Sequence, residues 1–246
     1  MAKLYIGLSG YAYKEWQGEG RFYPPEMKAA EYFGYYVSRY NALEADGTWY
    51  KMPPTAMVDK WNDQTPQEFR VSPKMHRKVT HRTKLEGEAV DALTFFLKRL
   101  EPLEKAGKLG GLLIQLPPYL KRNDELLAQF LSEIPHRESL PWCMEFRSKS
   151  WHDPHVEQLL RDHNVAWVAG DTDEEDAQRR DTAKHIYARL RKTDYSQKQL
   201  EDWALYFAEK INQGKDCYVY CKHEDAETPW VWADRIRLLV EESTDK

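Results

Sequence analysis

Short apolar runs alternate along the chain with longer amphipathic stretches, and this alternation sets the expected elements. The short runs predict strands near residues 4–9, 42–46, 69–74, 111–116, 142–147, 165–170, 185–190 and 217–221. Gly10, Pro53-Pro54, Gly110-Gly111 and Pro117-Pro118 punctuate them. Between the strands, helical spacing predicts helices over 28–40, 58–64, 89–106, 125–134, 152–163, 197–212 and 230–240. The clearest stripes are Leu93, Phe96, Leu97 and Leu100, and Leu200, Trp203, Ala204, Phe207 and Ile211. Residues 171–181 break the pattern: they are polar, lack an apolar stripe, and are expected to form a surface loop.

Strands that are apolar throughout are those buried on both faces, which is the condition of a parallel sheet covered by helices. About eight strand–helix units in a chain of 246 residues predict one (β/α)8 TIM barrel spanning 1–246 as a single domain. The open doubly wound sheet is the competitor. GLSGYA, at the end of the first strand, lacks the G-x-G-x-x-G spacing, so no dinucleotide site is expected.

Strand side chains alternate between faces, so each strand can be sorted into an outward and an inward set. Leu43, Val71, Met144 and Phe146 are expected to face the helices. Glu44, Lys74, Glu145 and Arg147 then face the barrel axis and converge at the carboxyl-terminal mouth, where barrel active sites lie. Glu145 and Arg147 stand two residues apart on one face and are expected to pair, because an unpaired charge there is costly.

These positions suggest chemistry. Glu44, Glu145, Lys74 and Asp171 are the acid/base candidates, since facing titratable groups can have their pKa values driven apart. Arg147, Arg189, His81, Gln115 and His223 are candidates for holding an anionic substrate, with Tyr13, Trp16, Trp49 and Tyr50 covering the pocket. A bland alternative attends each: a structural ion pair at 145–147, a solvated basic run at 76–84, and a satellite core for the rings of the 11–23 loop.

Composition narrows the field. The net charge is −4 and the pI about 6.1, so no global basic field favours nucleic acid, and any anion site must be local. Three cysteines without a C-x-x-C argue against a disulfide framework or a structural zinc site. No leader-like segment precedes the first strand and no run approaches the ~18 apolar residues of a membrane span. A soluble, cytoplasmic protein is expected, without cofactor, metal or membrane partner, acting on a small anionic ligand.

Several stretches in chain order resemble the family known as domain of unknown function 72, or YecE-like. They are GLSGYAYKEWQGEGRFYP, LEADGTWYKMP, the VTH that ends at His81, LLIQLPP, MEFRSKSW, GDT and ARL. The resemblance implies a TIM barrel. The chain departs from the family pattern at Asp46, where Asn is frequent, at Arg191-Lys192 after the seventh strand, and at Cys221-Lys222-His223 ending the eighth. Fold-level analogy with barrel nucleases of the endonuclease IV type adds a second reading, a metal-dependent phosphodiesterase or DNA-repair nuclease. His81, His223, Glu44, Glu145 and Asp171 could supply ligands, although no HxH or HExxH spacing is present. A third reading is a non-catalytic module binding a nucleic acid strand through aromatic and basic loops.

Overall fold

The computed structural model describes residues 2–136, 138–222 and 228–244. Eight parallel strands alternate with helices: β1 (Leu4–Ser9), β2 (Ala42–Ala45), β3 (Arg70–Pro73), β4 (Leu112–Gln115), β5 (Trp142–Glu145), β6 (Ala166–Gly170), β7 (His185–Leu190) and β8 (Asp216–Cys221). The α-helices among the described residues are α1 (Tyr32–Arg39), α2 (Thr55–Asp63), α3 (Ala89–Lys105), α4 (Asp124–Glu133), α5 (Pro154–Asp162), α6 (Gln197–Asn212) and α7 (Pro229–Thr244). The strands run in the order β3-β2-β1-β8-β7-β6-β5-β4, and the first and last strands of the chain pair in register from Leu4 with Cys217 to Leu8 with Cys221.

The curl closes between β3 and β4 through a thinner seam. There Val71 N donates to Lys108 O (2.9 Å), Gly110 N to Val71 O (2.8 Å) and Met75 N to Leu113 O (2.8 Å). Isolated bridges join Val71 with Leu109 and Lys74 with Leu113. The result is a nearly closed TIM-barrel-like α/β fold.

The alternation read from sequence holds. Leu43, Val71, Met144 and Phe146 lie in the outer core with the helices. The inner core is a separate cluster that includes Tyr5, Leu113, Cys143, Val168, Tyr187, Tyr218 and Tyr220. Tyrosines fill the axis: Tyr5 stacks on Tyr218 at 5.2 Å, and the rings of Tyr187 and Tyr220 are 5.3 Å apart. Their bulk demands a small neighbour. A Cβ at Gly111 would stand 2.4 Å from the Tyr187 ring, so only glycine fits that wall without a shift.

Helix entries are capped by local side chains. Ser196 and Gln199 form a reciprocal capping box on α6, and Asn123 accepts from Leu126 N at 3.0 Å on α4. No α-helix follows β6. Residues 171–184 form an irregular connection instead, because no apolar stripe is available there to bury.

Several boundaries differ from expectation: α2 begins at Thr55 rather than residue 58, and α7 runs to Thr244 rather than 240. Helix α1 begins at Tyr32 rather than residue 28. Strand β5 ends at Glu145, where Glu145 O takes its last ladder bond from Leu116 N at 2.9 Å. Arg147 therefore lies beyond the strand and is exposed, and Ser148, which follows it, caps a short 3-10 turn over Lys149–Trp151.

Candidate functional site

At the carboxyl-terminal end of the barrel, one guanidinium organises the carboxylates. Arg189, at the end of β7 and 1% exposed, donates through Nη1 to Glu145 Oε2 (2.7 Å) and through Nη2 to Glu44 Oε1 (2.9 Å). Its Nη2 is also 3.7 Å from Asp46 Oδ1. Around this centre each carboxylate takes further donors. Ser9 Oγ and the Tyr187 hydroxyl donate to Glu44, the latter at 2.6 Å, and Gln115 Nε2 donates to Glu145 Oε2 at 2.8 Å. Arg191 Nη2 lies 3.3 Å from Glu145 Oε1. Asp46 holds Lys74 Nζ at 3.2 Å and Lys222 Nζ at 3.1 Å. Such dense pairing is what makes several buried charges tolerable.

These contacts set the protonation states. Burial alone would raise the Glu145 carboxyl, yet Arg189, Arg191 and the Gln115 amide hold it well below the usual range. Asp46 likewise outweighs its burial through Lys74, Lys222 and Arg189, and falls to about 2. Lys74 moves the other way: burial first, then the Arg189 charge, lowers its ammonium below the ordinary 10.5, against the pull of Asp46. The mouth thus contains fixed carboxylates beside a lysine shifted toward its neutral form.

Glu44, Asp46 and Glu145 face Arg189, Arg191, Lys74 and Lys222, three negative groups against four positive among the described residues. The described donor set does not fit a metal. Among the described residues no three His, Cys, Asp or Glu side chains gather as a cation site, and Arg189 contacts the same three carboxylates a divalent ion would need.

Beside the mouth, an aromatic edge runs outward from Lys74. The Lys74 ammonium lies 5.3 Å from the centre of the Trp49 ring, and Trp49 packs edge-on with His81 at 4.9 Å and Tyr50 at 4.6 Å. Burial, Lys74 and Arg147 together lower the His81 pKa, which favours the neutral imidazole. On the other flank a polar cavity of about 690 Å³ opens between the ends of β5 and β6 and the 171–178 connection. Glu145, Arg147, Arg191, His152 and Trp167 are among its walls. At Gly170, where the nearest heavy atom to an added Cβ would be Glu145 Oε1 at 3.8 Å, the missing side chain leaves this wall low.

The candidates read from sequence divide accordingly. Glu44, Lys74, Glu145, Gln115 and Arg189 come together, and Trp49 and His81 border them. Arg147 does not pair with Glu145 as expected: the strand stops before it, and Arg189 and Arg191 occupy the carboxylate instead. Asp171 is buried but apart, accepting from the Tyr195 hydroxyl (2.6 Å) and Arg191 N (2.8 Å), so it ties the loops after β6 and β7 together. Burial raises its carboxyl against those bonds. Trp16 belongs to the outer core, 5.9 Å from the Trp230 ring, because its loop folds back onto α1 and α7 rather than over the mouth. Tyr13 is half-buried against it, 4.8 Å away, and Tyr50 is exposed. His223 lies outside the described residues.

Arg191, Tyr187 and Asp46 were not among the candidates. Each shares strand parity with one that was: Tyr187 and Arg191 with Arg189, and Asp46 with Glu44. Tyr187 and Asp46 fall within the strands expected at 185–190 and 42–46, where parity already puts them on the mouth-facing side; Arg191 needed parity carried past the strand end.

The chain matches the family model described as "Protein of unknown function DUF72" over residues 5–246. It is similar to the UPF0759 protein YunF of Bacillus subtilis, 26% identical over 254 residues that cover 88% of this chain and 87% of that protein. The crystal structure of a DUF72 family protein from Thermotoga maritima superposes with a TM-score of 0.73 at 20% identity, covering 99% of both chains. A D-psicose 3-epimerase from Clostridium cellulolyticum shares the fold alone, with a TM-score of 0.51 at 10% identity over 98% of this chain and 97% of that one.

Proposed function

The chain belongs to the DUF72 family, and on that premise we propose that its barrel mouth is the active site of an enzyme acting on a small anionic substrate. The observation that carries the reading is Lys74, an ammonium 8% exposed, with its pKa lowered, at the end of a barrel strand. A lysine so placed gives up its proton more readily than a surface lysine and is suited to proton exchange with a substrate. Glu44 and Glu145, which the sequence offered for that work, are engaged by Arg189 and serve to hold it. Arg191 and Arg147, in the wall of the adjoining polar cavity beside Glu145, Glu174, Glu175 and Asp176, supply the guanidinium donors that a phosphate, sulfate or carboxylate group would use. Trp49, its ring centre 5.3 Å from the Lys74 ammonium, and His81 packed against Trp49 limit the hydration of that ammonium.

Calorimetric titration of phosphate and small carboxylates into the wild-type protein and into Lys74→Met and Arg191→Met tests this. Saturable binding that weakens by roughly tenfold or more in each variant supports the reading, a contact of about 1.4 kcal/mol or more. Binding equal in all three proteins overturns it. So does tight stoichiometric binding of zinc or manganese with no anion binding, which would favour the metal-dependent nuclease.

A further inference from the structure

A second cleft opens beside Asp46. It holds about 310 Å³ between the loops that follow β1 and β2, and its walls include Tyr11, Tyr13, Met52, Pro53, Met57 and Trp61. Asp46 lines this cleft too. The same carboxylate, 8% exposed, holds the Lys74 ammonium at Oδ1 and the Lys222 ammonium at Oδ2. An apolar compartment and a cationic one therefore meet across a single side chain.

We propose that the cleft receives an aryl group carried by the anionic substrate, an inference that rests on the reading of the mouth as an anion site. The wall chemistry selects a ring. Tyr11, Tyr13 and Trp61 offer ring edges and faces, and Met52 and Met57 offer polarisable thioethers that pack well against aromatic carbon. The volume holds one ring and its linkage. Asp46 is common to the cleft and the charged network, and its carboxylate is 3.2 Å from the Lys74 ammonium, so a substituent that extends past the Asp46 edge comes within reach of Lys74. The substrate class is thus an aromatic carboxylate or an aryl phosphate.

Phenyl phosphate, cyclohexyl phosphate and inorganic phosphate, titrated by calorimetry into the intact protein, test the assignment. Burying one ring predicts phenyl phosphate binding about ten- to a hundredfold tighter than inorganic phosphate. Ala12 and Met57 both line the cleft from exposed positions, so Ala12→Trp and Met57→Asp alter its space and polarity without touching the core. Each variant should erase the phenyl advantage while leaving inorganic phosphate affinity within about twofold. Equal binding of phenyl and inorganic phosphate by wild type overturns the proposal, as does an advantage that survives both substitutions. An equal gain from cyclohexyl phosphate overturns the choice of an aryl group. If no phosphate binds at all, the anion reading of the mouth falls, and this inference with it.

Discussion

Arg189 and Glu145 meet at 2.7 Å across the interior of the barrel, from strands that are not neighbours in the sheet. The pair is almost fully withdrawn from water, with side-chain exposures of 1% and 5%. Removing one partner leaves the other charged and buried. Arg189→Met should therefore cost about 3–5 kcal/mol in urea unfolding, whereas Arg147→Ala, at an exposed position, should stay within about 0.5 kcal/mol. Equal losses in the two variants would mean that the network has been assigned to the wrong arginine.

Acid should dismantle the same network. Asp46, at about 2, and Glu145, also lowered, have folded pKa values below the ordinary 3.8 and 4.5. Their contribution is fully present above those ordinary values and is lost as pH falls through the folded ones. Stability should therefore decline from about pH 4.5 downward and continue to fall toward pH 2. Asp171, raised by burial, contributes with the opposite sign and softens the upper part of that decline. Asp46→Asn should flatten the acid limb in a series of thermal melts; an unchanged slope would show that Asp46 is not held low.

Lys74 should titrate apart from the surface lysines. Reductive methylation with a carbon-13 label gives each lysine a resolvable signal, and loss of one signal in Lys74→Arg identifies it. That signal should shift at a pH below the ordinary 10.5. Folded-state pKa below unfolded means that ionising Lys74 opposes folding, so this contribution recovers as pH rises through the window between the two values. A Lys74 signal that moves with those of exposed lysines would remove the observation on which the enzymatic reading stands.

The tyrosine-filled axis makes a contrasting pair of glycines. Gly111→Ala places a methyl 2.4 Å from the Tyr187 ring and should destabilise by about 1–3 kcal/mol through overpacking. Gly170→Ala meets nothing closer than 3.8 Å and should change stability by less than about 0.5 kcal/mol. Denaturant midpoints compare them directly, and a larger effect at Gly170 would contradict the packing described.

The strands were legible because parallel strands buried on two faces are written as apolar runs with polar residues at one end. Face alternation then placed Glu44, Lys74, Glu145 and Arg189 at one mouth. Which of them pair was not legible. Local spacing offered Arg147 as the partner of Glu145, but an early strand end turned Arg147 outward, while the true partner came from β7, across β6. The Arg189 contact with Glu44 spans β1 and β8 in the same way. Such contacts depend on barrel closure, which no window of sequence contains. Trp16 shows the other limit: a ring in a loop declares that it will be buried, not against which wall.

The thin seam between β3 and β4 runs up to the mouth. Lys74 and Met75 lie on that seam, and Lys74 also carries the ammonium held by Asp46. With that edge open and the barrel incomplete, β3 keeps its ladder to β2, the tyrosines stay stacked and the Arg189 contacts stay set, but the backbone that carries Lys74 loses its support from β4. Exchange of the Met75 amide with solvent reports how often a folded molecule revisits that incomplete state.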